Sequence, residues 1–213
     1  MTLLPALAFG FVLGVKHATD ADHVAAVGTI AGGGRSARRA ALIGAAWGTG
    51  HSASVLVVGG ALVLFRLPMP VRIALALEFL VAIMLVALGA RALLMRRREP
   101  VRSSTRPLLI GVMHGLAGSA VLALLVLGTT STALAAAMYL VCFCLGTIAG
   151  MALVTAALTL PMRLSSTRAL SVERAVRVAA GIASVGIGIV LAHRVGVRDG
   201  LFAATPIPPT WAP

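Results

Sequence analysis

Apolar residues run along this chain in six long blocks, separated by short gaps that carry most of its arginines. The blocks are Leu3 to Ala31, Ala40 to Phe65, Ile73 to Leu94, Leu108 to Gly128, Ala133 to Leu160 and Val178 to His193. A helix needs about 20 apolar residues to cross a bilayer, so the pattern predicts an all-α, polytopic membrane protein of about six transmembrane helices. The first block is too long for one upright span and holds a run of polar residues at its middle. A Pro-rich tail, 199–213, follows the predicted membrane domain, 1–198.

Composition narrows the class. Of the 213 residues, 59% are hydrophobic and 11% charged, and the mean hydropathy is +1.01. A soluble domain averages about 45–50% apolar and about 25% charged residues. So much apolar content excludes disorder, and two cysteines exclude a disulfide scaffold. The net charge of +12 does not indicate a nucleic-acid partner: the arginines lie between apolar blocks, and aromatic residues, at 4%, are too few for base-stacking platforms. Twelve arginines fall in the first, third and fifth gaps (Arg35 to Arg39, Arg96 to Arg106, Arg163 to Arg177), against four in the others (Arg66, Arg72, Arg194, Arg198). The positive-inside rule then puts the odd gaps in the cytoplasm and both chain ends outside.

The two halves of the chain resemble each other. Aligning L-G-V-K-H-A from Leu13 with I-G-V-M-H-G from Ile110 pairs Gly14 with Gly111, Val15 with Val112 and His17 with His114. Gly48 and Thr49 then meet Gly146 and Thr147 after one residue of slippage, and L-G-A-R ending at Arg91 resembles L-A-H-R ending at Arg194. Three spans per repeat would invert the second copy in the membrane. The predicted repeats, about 3–95 and 107–194, follow the plan of many secondary transporters, with a midplane site and interrupted helices.

The candidate chemistry is Lys16-His17-Ala18-Thr19-Asp20-Ala21-Asp22-His23. An ionisable group at the bilayer centre costs about 2.5–3.5 kcal/mol. Such a cluster must be a loop between short helices or a compensated functional site. The flanking pieces, Leu3 to Val15 and Val24 to Ala31, are each too short to span alone, which favours a site on a discontinuous helix. Imidazole with carboxylate suits a divalent transition metal, and no thiolate belongs to the cluster. On an ideal helix His17, Asp20 and His23 share a face, while Asp22 points 140° from His17. Asp22 then either orients a histidine or reaches the ion through unwinding between Gly14 and His23. His51, in W-G-T-G-H-S, and His114, in H-G-L-A-G-S, lie in other spans beside small residues that permit close helix contact. The candidate metal ligands are therefore His17, Asp20, Asp22, His23, His51 and His114.

Other polar residues carry less. His193 ends the sixth block beside Arg194, and Glu78 could pair with an arginine or carry protons. Cys142 and Cys144, two residues apart on one helix, point about 200° apart. They support an alternative function, a membrane thiol–disulfide electron carrier, only without a C-x-x-C spacing. The H-E-x-x-H spacing of zinc proteases is absent, and an enzyme is not expected.

The string H-A-T-D-A-D-H at His17 to His23, preceded by L-G-V-K, resembles the signature of the nickel/cobalt transporter family: a histidine, four residues, then Asp-His on an early helix. His17, Asp22 and His23 match its fixed positions, and Asp20 its usual extra acid. Gly50 to Ser52 is similar to the family's second histidine motif, and His114 to Ser119 looks like its shorter, urease-accessory-type branch. Typical members have eight spans with the signature on the second, so one leading helix fewer would also put the N-terminus outside. The resemblance implies a permease of the cytoplasmic (inner) membrane that carries Ni2+ or Co2+ as substrate, without a prosthetic group. It also implies metal-delivery or metalloenzyme-maturation proteins as partners. Efflux members often carry a histidine-rich loop; none is present, which points to uptake.

Overall fold

The computed structural model describes residues 3–31, 36–65, 69–94, 104–129, 132–161 and 169–204. They form helices α1 (Leu3–His17), α2 (Ala21–Ala31), α3 (Ala37–Ser54), α4 (Gly60–Phe65), α5 (Val71–Leu94), α6 (Thr105–Thr129), α7 (Ala133–Ala157) and α8 (Ala169–His193). A π-helical turn, Val55–Gly59, joins α3 to α4 without a break, and another, Arg194–Arg198, extends α8. The described residues contain no strand. Among them, four helical stretches are long and apolar enough to cross a membrane: Ala37–Phe65, Val71–Leu94, Leu134–Ala157 and Ser171–Arg198. Arg35, Arg66, Arg96 to Arg98, Arg102, Arg163, Arg168 and the tail beyond 204 lie outside the described residues.

The first block is divided, as its polar middle suggested, but over a narrower stretch than Gly14 to His23. The α1 helix winds through His17 and tightens into i→i+3 bonds: the Thr19 amide donates to Lys16 O (2.8 Å) and the Asp20 amide to His17 O (3.1 Å). The Thr19 hydroxyl donates to the same Lys16 carbonyl at 2.6 Å. Winding resumes when the Val24 amide reaches Asp20 O at 3.0 Å. Only Ala18, Thr19 and Asp20 are non-helical within the block, and the amides of all three are paired with carbonyls of α1 or its last turn.

Several helices begin before the apolar blocks they carry. The α3 helix begins at Ala37 rather than Ala40 because Ser36 caps it, its hydroxyl accepting from the Arg39 amide. Thr132 caps α7 in the same way through the Ala135 amide. Pro107 falls in the first turn of α6, where a missing N–H leaves no helical bond unmade. The α8 helix starts at Ala169, well before Val178, because its first turns carry Glu173, Arg174 and Arg177, which lower hydropathy without breaking the helix.

The helices pack backbone to backbone at small residues. The α1 helix lies on α7, α3 on α6, α3 faces α7, and α5 pairs with α8, against which α2 also rests. A Cβ on Gly14 would collide with the Phe143 carbonyl, and one on Gly111 with the Trp47 carbonyl. In α5 and α8, a Cβ on Gly89 would lie 2.9 Å from the Val185 amide, and one on Gly188 3.0 Å from the Val86 amide. Hydroxyls tie the same pairs together: Ser54 donates to Val112 O (2.8 Å) and Ser184 to Leu85 O (2.7 Å). Small-residue seams of this kind hold helices together where lipid removes the hydrophobic driving force. The outer face is correspondingly apolar, with Val57, Leu64, Leu153 and Val190 all more than 60% exposed.

The chain folds back after α8. Arg72 at the start of α5 donates to the carbonyls of Ala203 (3.0 Å) and Ala204 (2.5 Å), and Phe79 meets Phe202 edge-on at 5.3 Å. Glu78 pairs with Arg194 (3.3 Å), which also reaches Asp199 (3.5 Å). The fold thus gives Glu78 an arginine partner.

Candidate metal centre

The break in the first block sets the centre. His17 ends α1, Asp20 stands in the break, and Asp22 and His23 open α2. His51 comes from α3, one turn beyond Trp47, and His114 from α6. The two meet because glycine lines the α3–α6 seam: a Cβ on Gly115 would collide with the His51 carbonyl, and one on Gly50 with the Leu108 carbonyl. All six residues singled out from sequence converge. The ring centroids of His23 stand 4.5 Å from His17, 5.3 Å from His51 and 4.2 Å from His114.

Each aspartate holds a histidine. The Nδ1 of His17 lies 2.9 Å from Asp20 Oδ2, and the Nδ1 of His23 lies 3.0 Å from Asp22 Oδ1. Asp22 Oδ2 takes His114 Nε2 at 2.8 Å. A carboxylate only accepts, so these ring nitrogens carry the hydrogens, and in a neutral imidazole the opposite nitrogen then keeps a lone pair. For His17 that nitrogen is Nε2, 3.3 Å from His51 Nε2. For His23 it is also Nε2, which is buried with no hydrogen-bond partner, as are Nδ1 of His51 and Nδ1 of His114.

Asp22 therefore faces the cluster although an unbroken helix would turn it away. The winding restarts after Asp20, so the 140° offset does not carry across the break.

The surroundings are dry on one side and open on the other. His23, His51 and His114 are 2%, 1% and 4% exposed. The side chains of His17, Asp22 and Asp20 are 25%, 30% and 49% exposed. Trp47 stacks on His23 at 5.7 Å and meets His114 edge-on, while Phe143 lies 5.4 Å from His17. Sequence reasoning missed both aromatic walls; the i, i+4 relation of Trp47 to His51 was the available signal for one of them. Lys16 is exposed and makes no ion pair among the described residues. His193 is exposed at the end of α8. Cys142 and Cys144 are free thiols on α7, and Cys144 is turned toward the Ser52 carbonyl at 3.8 Å.

Two groups of side chains offer ligand atoms within 4.8 Å of one another: His17, His23 and His51, and Asp22, His23 and His114. Nitrogen ligands about 2.0–2.1 Å from a tetrahedral ion stand roughly 3.3–3.4 Å apart, the spacing of the two Nε2 atoms of His17 and His51. His17 and His23 are backed by carboxylates on their far nitrogens, as in the usual carboxylate–histidine–metal arrangement, whereas the far nitrogen of His51 has no such partner.

Fold and site together define a helical membrane-type protein with an imidazole–carboxylate centre among its helices. No protein-family model and no solved structure matches the chain. A curated protein does: it is 35% identical over 219 residues, 94% of this chain and 96% of the relative, to the urease accessory protein UreH of Bacillus sp. (strain TB-90). The chain belongs to the family of UreH, the urease-accessory-type branch of the nickel/cobalt transporters.

Proposed function

We propose that the protein is a secondary permease that carries nickel or cobalt ions inward across the cytoplasmic membrane. The observation that carries this reading is the convergence of His17, His23, His51 and His114, from three separate parts of the chain, with a buried, unpartnered ring nitrogen on each of His23, His51 and His114. A buried polar atom without a partner costs free energy, so its retention here is explained by a visiting ligand. In this reading His17, His23 and His51 bind the ion, Asp20 and Asp22 hold the rings and supply negative charge, and His114 completes the set. The exposed Asp20 is the first group an ion meets. The relative is named a urease accessory protein, which links this family to urease and supports metal-delivery or enzyme-maturation proteins as partners.

The architecture we favour has six spans. The broken α1–α2 pair and the 25-residue α6 join the four long apolar helices. Paired contacts support two inverted repeats: Gly14 on Phe143 and Thr147 matches Gly111 on Trp47 and His51. Gly89 on Gly181 and Val185 matches Gly188 on Ala82 and Val86. In this register Trp47 answers to Phe143 and His51 to Thr147, a closer fit than pairing Gly48 with Gly146. Rocking of one repeat against the other would alternate access, with the odd gaps cytoplasmic and both ends outside.

The test is uptake of radiolabelled nickel and cobalt into vesicles, with and without a proton gradient. His17→Ala and Asp22→Ala should abolish accumulation while membrane expression persists. Binding needs neutral imidazole and ionised carboxylate, so metal affinity should fall at acid pH. Wild-type accumulation in either variant overturns the assignment.

A further inference from the structure

The two ligand groups overlap in one residue. His23 is common to the set with His17 and His51 and to the set with Asp22 and His114. Its two nitrogens have different surroundings: Nδ1 sits 3.0 Å from Asp22, whose other oxygen holds His114 Nε2 at 2.8 Å, while Nε2 is buried and unpartnered. We infer that the centre offers one metal ion two alternative positions that share His23. The first is built on Nε2 of His17, His23 and His51. The second is built on Asp22, Nε2 of His114 and Nδ1 of His23. This rests on the permease reading and adds to it a transfer step within the protein.

Chemistry makes the positions mutually exclusive. A neutral imidazole has one lone pair available to a metal, so His23 serves one ion through one nitrogen at a time. Filling the second position requires that the hydrogens on His23 Nδ1 and His114 Nε2 give way. Each ring has somewhere to put its hydrogen. The Nε2 of His23 is released as the ion leaves the first position, and the Nδ1 of His114 is unpartnered. Both rings exchange tautomer, and no proton need enter or leave the centre. Asp22 loses two N–H donors and gains a cation. Each position also has one half-exposed member, His17 in the first and Asp22 in the second, with 25% and 30% of their side chains accessible. An ion can therefore arrive at one and depart from the other.

Cobalt binding to the purified full-length protein in detergent tests this, by calorimetry and by the visible spectrum of bound Co2+. The wild type should bind one Co2+ per chain although two ligand sets exist. His51→Gln and His114→Gln should each still bind one Co2+, with spectra that differ from each other, and the double variant should bind none. Nickel uptake into vesicles should fall about tenfold or more in each single variant, since an ion held at one position has nowhere to pass. Two Co2+ per wild-type chain overturn the exclusivity, and that measurement needs no variant to fold. Wild-type uptake by His114→Gln overturns the transfer step while leaving the permease intact. Absence of both Co2+ binding and nickel uptake in the wild type overturns the permease reading, and the transfer step with it.

Discussion

Asp22→Asn removes one charge and leaves the shape of the side chain almost unchanged. Asp22 accepts from His23 Nδ1 at 3.0 Å and from His114 Nε2 at 2.8 Å. An amide presents one acceptor oxygen and one NH2, so one of the two ring N–H groups would face a donor and must turn or change tautomer. Losing one hydrogen bond to a charged group costs about 1.5–3 kcal/mol. The Asp22 side chain is 30% exposed, so water softens the loss and the lower end of that range applies. At about 1.4 kcal/mol per decade, nickel affinity should weaken roughly tenfold, within the 10–100-fold typical of groups that orient metal-bound histidines. The assay is calorimetric titration of purified protein with Ni2+ at neutral pH, alongside the concentration dependence of uptake into vesicles. Asp22→Glu, which keeps the charge, should recover part of the affinity. Unchanged Ni2+ affinity in Asp22→Asn would refute the claim that this carboxylate organises the centre.

Two further predictions concern packing and the thiols. Gly111→Ala places a methyl against the Trp47 carbonyl and 2.9 Å from the His51 amide, so it should lower stability by about 1–3 kcal/mol and displace His51. Gly186→Ala, where no atom lies within 4 Å, should instead gain about 0.5–1 kcal/mol from helix propensity. Thermal unfolding in detergent compares the two, and an unchanged or raised melting temperature in Gly111→Ala would contradict the close α3–α6 seam. Removing both thiols, with Cys142→Ala and Cys144→Ala together, should leave nickel uptake within roughly twofold of wild type, because buried cysteine acts mainly as a small hydrophobe. Complete loss of uptake in a stably expressed variant would favour the electron-carrier alternative.

Much of the candidate site was legible in the sequence because lipid makes polar residues conspicuous. Two aspartates, two histidines and a lysine inside one apolar block have to be accounted for, and His51 and His114 stand out for the same reason. The all-helical class followed from block length, since backbone in hydrocarbon must satisfy itself within a helix or a closed barrel. Helix ends were less legible. Caps such as Ser36 and charged first turns such as Glu173 to Arg177 are local hydrogen-bonding and solvation features that hydropathy does not register.

What the sequence determined alone was the inventory: which groups lie in the apolar blocks, and that the first block must break. What only the tertiary structure decided was who faces whom. The helical wheel turned Asp22 away, and three non-helical residues turned it back onto His23 and His114. Distances between His17 and His51, or between Gly115 and the His51 carbonyl, depend on how closely two backbones approach. That approach is a property of the pair of helices and is written in neither one by itself.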